Sequence, residues 1–299
     1  MSAAPGDEPP AVSVVLPSRN GAATIGVQLE ALAAQSWEGS WELVVADNGS
    51  TDESMQIVES FRDRLPALQI VDASACRGLP RALNLAVRVS RGRFIAFVND
   101  DDEVGEGWLE AIAQALERHE AVGGRLEYER LNEPWTIELR ERPQEAGLLE
   151  WGFLDYLPFS AGASLAVRRE LHDSIGGFDE AMVPAGEDMD YCWRLQQAGA
   201  KLAFAPDAVT HYRLRPSLRA TFRQALAYGE AHVLVYKKHR GRGLAPARHP
   251  WRRGVRAWLG LARRVPLARN QVHRARLVWH TGLRLGMVRA SLKQRVVFF

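Results

Sequence analysis

The sequence predicts an α/β protein with a mostly parallel sheet flanked by helices, on three observations. Short β-branched runs alternate with stretches of helical period through roughly the first hundred residues, the pattern of βαβ units. Ser18-Arg-Asn20, Asp47-Asn48 and Asn99 to Asp102 each directly follow one of those runs, and open parallel sheets bind ligands beyond the carboxyl ends of their strands. The composition, 46% apolar and 25% charged over 299 residues, is that of a globular chain with an ample core.

Val12 to Leu16 is a compact β-branched run closed by Pro17, after which Ile25, Leu29 and Leu32 recur at helical spacing. Trp41 to Ala46 is the second expected strand, turning at Asp47 into a helix that carries Met55, Val58, Phe61 and Leu65. Leu68 to Val71 is the third. Pro80 suits the first turn of the next helix, with Leu83, Ala86 and Val89. Arg93 to Val98 is the fourth strand and ends in Asn99-Asp100-Asp101-Asp102. Trp108, Ile112 and Leu116 then mark a helix, whereas Arg130 to Gly147 has no clear period. Ala163 to Val167 reads as a strand, Gly176 to Asp179 as a turn, and Glu187 to Gln197 as a helix ended by Gly199. Leu202 to Ala205 and Ala208 to Tyr212 read as two short strands.

The composition excludes a disordered, collagen-like or disulfide-stapled chain, and no run approaches the roughly 18 apolar residues of a spanning helix. Met1 to Pro10 carries Asp7 and Glu8 without a basic-then-apolar stretch, so neither a secretory signal nor order is expected there. Cys76 and Cys192 stand far apart, as reduced thiols of a cytoplasmic protein. The net charge of +2 conceals a division: residues 231 to 299 hold 17 Lys and Arg and no acid, leaving 21 basic and 36 acidic side chains before them. A boundary is expected between about Arg213 and Gly243.

Three consecutive carboxylates, Asp100 to Asp102, repel one another. A hard divalent cation with oxygen ligands resolves that repulsion, Mg²⁺ or Mn²⁺ being held by one or two carboxylates plus substrate phosphates; a solvated acidic loop is the alternative. Glu187 and Asp188 open a helix, where they either favour its dipole or place one carboxylate to take a proton from an attacking hydroxyl. Asp47 either closes an Asx turn or hydrogen-bonds a nucleobase or ribose. His211 is a metal ligand or a satisfied half-buried histidine, and Arg77 and Arg81 are diphosphate partners or surface charges.

Taken together, five segments resemble the family 2 glycosyltransferases: Val12 to Gly21, Glu42 to Asp52, Arg91 to Asp102, Gly176 to Glu180 and Gly186 to Leu195, in the family's order over roughly residues 11 to 213. The resemblance implies a GT-A fold, a nucleotide-diphospho-sugar donor, a cation (Mg²⁺ or Mn²⁺) and inversion at the anomeric carbon. By position, Pro17, Ser18, Arg19, Asn20, Asp47 and Asn48 would line the nucleotide pocket. The acidic run matches the family's Asp-X-Asp motif in two registers, from Asn99 to Asp101 or from Asp100 to Asp102. Either puts Asp101 or its neighbour Asp102 on the metal and Asp100 near the ribose or sugar. Asp188, beside Glu187, matches the general base. The family's Arg-Asn before the fourth strand stands here as Leu83-Asn84, with Arg81 a substitute diphosphate contact beside Arg77 and Asn84. The absent Gln-X-X-Arg-Trp pattern of processive members implies one sugar per encounter.

The implied organisation is a tail over residues 1–10, a catalytic domain over 11–230 (nucleotide-binding half 11–103, acceptor half 104–230) and a basic helical extension over 231–299. In the extension, Trp251, Val255, Trp258, Leu259, Ala262 and Val265 share one helical face, with Arg252, Arg253, Arg256 and Arg263 largely elsewhere. Such a helix suits an anionic membrane surface or packs on the catalytic domain. Leu277, Thr281, Leu285, Val288 and Leu292 form a second stripe. The expected acceptor is a hydroxyl of a saccharide or lipid-linked saccharide in the cell envelope, met at the inner face of the plasma membrane; no nucleic acid is expected. A nucleotidyltransferase would need a Gly-rich phosphate loop where Pro17-Ser-Arg-Asn-Gly21 stands, and an inactive binding module would not need the acidic run with Glu187-Asp188.

Overall fold

A computed structural model describes residues 8–75, 78–140, 142–245 and 250–298. Cys76, Arg77 and most of the N-terminal tail lie outside the described residues. Eight strands form one sheet: β1 (Val12–Ser18), β2 (Trp41–Asp47), β3 (Gln69–Asp72), β4 (Phe94–Phe97), β5 (Glu103–Val104), β6 (Ala121–Glu127), β7 (Leu165–Arg168) and β8 (Leu202–His211), in the order β3-β2-β1-β4-β7-β6-β8-β5. The β3-β2-β1-β4 half is parallel, as is β6 with β8, while β7 and β5 run antiparallel to their neighbours.

The helices of the α/β body are α1 (Ile25–Ala33), α2 (Ser54–Ser60), α3 (Leu79–Val89), α4 (Trp108–Arg118), α5 (Pro134–Arg140), α6 (Arg169–Ser174) and α7 (Glu187–Gln197). The two faces of β1 explain why its sequence is continuously apolar. Val12, Val14 and Leu16 join a core with Ile25 and Leu29 of α1 and Trp108 and Ile112 of α4, whereas Val15 faces Ala82, Ala86 and Val87 of α3. A strand covered on both sides has no solvent-facing alternation.

One expectation is corrected, and one strand was not expected. The pair of strands read at Leu202 and Ala208 is the single strand β8, with a bulge where the register moves from Gly124↔Ala205 to Arg125↔Val209. β6 was not legible at all, because it contains Gly123-Gly124, poor strand formers. A Cβ at residue 123 would stand 2.5 Å from Ser160 Oγ, and one at residue 124 would stand 2.4 Å from the Ala208 carbonyl oxygen. The glycines let the loop before β7 and the bulge of β8 close on the sheet.

Three helices complete the chain: α8 (Leu218–His239), α9 (Pro250–Arg264) and α10 (Gln271–Gln294). Residue 230 lies inside α8, so the helix runs unbroken through the change of charge. α10 packs on α8 through Gly282, Leu283, Gly286, Met287 and Ala290, and not through the Leu277–Leu292 stripe, whose Leu285 and Leu292 are exposed. Small residues set the packing face because the backbones touch: a Cβ on Gly286 would lie 2.1 Å from the Leu226 carbonyl oxygen. Among the residues of α9 whose burial is described, Gly254 and Leu261 are the buried ones. Its apolar face is open to solvent, Trp251 at 58%, Val255 at 54%, Leu259 at 53% and the adjoining Val265 at 58%. Packing of that face on the catalytic half, one of the two sequence expectations, is therefore not what the chain does.

The seam between α8 and α10 gives a direct test. Gly286→Ala sets its methyl against backbone that has no rotamer to yield, and should lower unfolding free energy by about 1–3 kcal/mol in urea titrations. Gly260→Ala in α9, where a Cβ meets nothing within 4 Å, should be neutral or stabilising by up to about 1 kcal/mol through helix propensity.

Candidate active site

The carboxyl ends of β1 and β2 are laced together by the polar residues that follow them. Ser18 stands opposite Asp47 in the ladder, and the Asn48 N–H donates to the Ser18 carbonyl at 2.8 Å. Asp47 Oδ1 accepts from the Ser50 N–H at 2.8 Å, the Asx turn expected there, and Asn48 Oδ1 accepts from the Gly78 N–H at 3.2 Å. Asn20 adopts φ 55°, donates its N–H to Ser50 Oγ and accepts from the Thr51 N–H at 2.8 Å. Pro17 is buried in β1, and Arg19 is exposed at the rim of this pocket.

Beyond β4 the four polar residues separate into different roles. Asp100 accepts from Ser18 Oγ at 2.7 Å and from the Arg19 backbone, tying the turn to β1; burial, and next the charge of Asp101, raise its carboxyl above the usual range. Asp101 pairs with Arg215 Nη1 at 2.5 Å, and its carbonyl accepts from Arg213 Nε at 2.7 Å. Asp102, expected on the metal, is fully buried. Its two oxygens are taken by the Arg213 N–H at 2.7 Å and Asn99 Nδ2 at 2.9 Å, and burial with the Asp101 charge pushes it up to about 8. A carboxylate so enclosed latches the exit of β8 to the turn and presents nothing to the cleft.

His211 lies in β8 opposite both Glu103 of β5 and Glu127 of β6. Its Nδ1 meets Glu127 Oε2 at 2.5 Å; burial opposes ionisation of Glu127, but hydrogen bonds from His211 and Glu129 outweigh it and hold the carboxyl at about 2. A carboxylate on one ring nitrogen orients the other, Nε2, as metal-ligating histidines are oriented. Both described residues expected at the diphosphate have protein partners. Asn84 spends both ends of its amide on Phe178, Nδ2 donating to the carbonyl and Oδ1 accepting from the N–H, each at 2.9 Å. Arg81 pairs with Glu180 at 3.1 Å. Both residues hold the Gly176–Glu180 turn in place.

α7 carries the other carboxylates. Gly186 caps it at φ 91°, a left-handed value that favours glycine, and a Cβ there would press on Ala231 and Val235 of α8 at 3.0 and 3.1 Å. Glu187 and Asp188 are half-buried. Asp188 accepts from the Met189 N–H at 2.7 Å and the Gly162 N–H at 3.2 Å. Burial raises both carboxyls, and with the neighbouring Asp188 charge it pushes Glu187 to about 8. Two adjacent carboxyls of this kind share one proton near neutral pH. The pair lines a cavity of about 230 Å³ with Tyr128, Phe159, Tyr212 and Tyr228. Tyr228 hydrogen-bonds Tyr212 and lies within the field of Asp188. Tyr212 separates His211 from Arg213, so this cavity adjoins the acidic turn.

Among the described residues no group of three or more His, Cys, Asp or Glu side chains converges to enclose a metal. A site completed by substrate phosphates needs no such group. Arg213 and Arg215 are site residues that the sequence reading missed; their alternation just past a strand end was the available signal.

The model of glycosyl transferase family 2 matches residues 13–176 of this chain. The chain belongs to that family. Pre-mycofactocin glycosyltransferase of Mycobacterium tuberculosis is 27% identical over 246 residues, 76% of this chain and 48% of that protein. The chain thus spans about half the length of this relative. Glycosyltransferase AglE of Haloferax volcanii is 27% identical over 210 residues, 69% of this chain and 68% of its own. In fold, the chain is similar to the mannosyltransferase PcManGT of Pyrobaculum calidifontis, solved with GDP-Man and Mn²⁺, at a TM-score of 0.66 and 21% identity over 96% of this chain and 89% of that one. It is also similar to Staphylococcus aureus TarS 1–349 with UDP-GlcNAc, at 0.55 and 19% over 95% and 92%. The sheet and its helices are the GT-A fold of this family. Asp188, His211 and α8 to α10 all lie beyond the stretch that the family model matches.

One neighbour of Asp188 works structurally. Asp190 is fully buried and meets Lys238 Nζ at 2.7 Å, His239 Nε2 at 2.8 Å and Arg194 Nε at 2.9 Å. Burial alone would raise its carboxyl; the hydrogen bonds from His239 and Lys238 win and hold it at about 2, below the ordinary 3.8. The stabilisation from this depressed value is present above about pH 4 and is lost as pH falls towards 2, an effect of about 2 kcal/mol. In urea midpoints measured from pH 7 to pH 2.5, Asp190→Asn should start lower at pH 7 and show a shallower decline below pH 4 than the parent protein.

Proposed function

We propose that this chain is an inverting glycosyltransferase that moves one sugar from a nucleotide-diphospho-sugar to an acceptor hydroxyl, with Asp188 as the base. The observation that carries the proposal is the pairing of Glu187-Asp188 at an aromatic cavity that adjoins the acidic turn through Tyr212. Ser18, Arg19, Asn20, Asp47 and Asn48 line the nucleotide side, where loop amides and Asp47 offer hydrogen bonds to base and ribose. Asp100, held by Ser18, faces the ribose or sugar.

The chain fits a divalent cation, Mg²⁺ or Mn²⁺, in the register that ends at Asp101. Asp101 is a half-buried carboxylate of the turn, and His211, oriented by Glu127, supplies Nε2. Such an ion, when bound, supplies positive charge to the departing diphosphate. Arg215, already at Asp101, adds fixed positive charge to the same place. In the form of the pair whose one proton sits on Glu187, Asp188 takes the acceptor proton as the oxygen attacks the anomeric carbon; burial, which raises its pKa, makes it a stronger base than an ordinary carboxylate. PcManGT with GDP-Man and Mn²⁺ and TarS with UDP-GlcNAc are precedents for such donors on this fold.

The acceptor is a saccharide or lipid-linked saccharide of the cell envelope, met at the inner face of the plasma membrane. Among the described residues no helix is long and apolar enough to cross a membrane. α9 instead lies on an anionic surface: its exposed Trp251, Val255, Trp258 and Leu259 enter the interface, while Arg252, Arg256 and Arg263 face lipid phosphates.

Asp188→Asn should cut transfer by about 10²–10⁴-fold, while calorimetry with Mn²⁺ shows unchanged affinity for the donor nucleotide; retained turnover would remove Asp188 from this role. The full chain should sediment with vesicles containing phosphatidylglycerol and not with pure phosphatidylcholine. Trp258→Ser with Leu259→Ser should weaken that partition at least about tenfold, and equal sedimentation of the variant would show that α9 is not the docking helix.

A further inference from the structure

We infer that the cavity beside Glu187 and Asp188 takes an acceptor bearing an oxyanion, phosphate or carboxylate, and that Arg140 receives it. The inference rests on the reading of this cavity as the acceptor site and names the acceptor's chemistry.

Arg140 ends α5, and its guanidinium lies 3.9 Å from the ring centre of Trp279 and 5.9 Å from that of Tyr228. It lines the cavity with Tyr128, Tyr212 and Tyr228. Its Nη1 is buried and has no hydrogen-bond partner, and among the described residues no carboxylate forms an ion pair with it. An arginine is always charged, and a buried charged donor left without an acceptor is unfavourable. A stacked, unpaired guanidinium in a cavity is thus an anion receptor waiting for its anion. A second orphan atom lines the same cavity: His232 Nδ1 is buried without a partner, and burial lowers the imidazole to about 3, so it stays neutral. A neutral imidazole adds a hydrogen bond to a ligand without adding charge.

Glu187 and Asp188 on the cavity wall repel an anion, so the oxyanion and the reacting hydroxyl must sit apart. That requires a bifunctional acceptor, with its anion at Arg140, its hydroxyl at Asp188 and a ring or alkyl body against the tyrosines between them. The volume of about 230 Å³ is below the roughly 300–1,000 Å³ of most ligand sites, so the cavity holds one terminal unit of an acceptor and not a chain.

The test is calorimetric titration of the full chain with phenyl phosphate, phenylacetate and benzyl alcohol, which share an aromatic body and differ in charge. At least one anion should bind saturably and at least tenfold more tightly than the alcohol; the stronger of the two identifies phosphate or carboxylate. Arg140→Gln should bring that anion down to the level of the alcohol, and Arg140→Lys should retain part of the preference. In Arg140→Gln the stabilisation by UDP or GDP with Mn²⁺ in thermal melts should persist, which separates loss of the receptor from loss of the fold. No preference for either anion in the parent protein, or an undiminished preference in Arg140→Gln, would overturn the inference; if Arg140→Gln does not fold, the parent and Arg140→Lys titrations still decide. Titration needs neither donor nor turnover, so anion binding by a protein that transfers no sugar would uphold this inference while sinking the catalytic reading.

Discussion

The site depends on one buried ion cluster, Asp190 with Arg194, Lys238 and His239. It joins the first turn of α7 to the last turn of α8. It adds to the Gln197 Nε2–His239 Nδ1 contact at 2.9 Å between the same helices and to apolar contact at the cap, where Gly186 faces Ala231 and Val235. A buried carboxylate held by Lys238, Arg194 and the His239 ring is sensitive to geometry in a way that apolar contact is not. The consequence is a proposed base whose position is set by a helix formally belonging to the basic end of the chain.

That coupling also explains the division of charge. The cationic C-terminal part does not stand apart from the acidic first part. Lys238 reaches Asp179 and Asp190, Arg276 reaches Glu138, and Arg289 reaches Glu230. Aromatic contacts add to the join, with the Phe298 ring stacked on Trp151 at 5.4 Å. α9 is the exception, tied to the loop before β7 by Arg253 on the Phe153 carbonyl, while its tryptophans face outward.

How much of this was legible follows from which forces leave a local mark. β1, β2 and β4 are covered on both faces and announce themselves as apolar runs, and their polar ends locate the cleft. β6 is hidden because its glycines are chosen for close approach and not for strand propensity. The acidic run shows that an unusual charge density exists, but not that Asp102 turns inward to Arg213 while Asp101 turns to Arg215; one residue of register separates a buried latch from a half-buried ion pair. Asn84 has the right residue type for a diphosphate contact, yet its partners come from Phe178, 94 positions away. Arg140 gives no signal, since its orphan nitrogen exists only after α5, α8 and α10 have come together.

The backbone contact between α8 and α10 has a mechanical corollary. Helices separated by side chains can slide or roll as rotamers change, but at Gly229, Gly282 and Gly286 main chain meets main chain, and no side chain can absorb a shift. The pair moves as one stiff beam. Because Ala231 and Val235 of that beam bear on the cap of α7, a tilt applied at its far end arrives at Asp188 undamped.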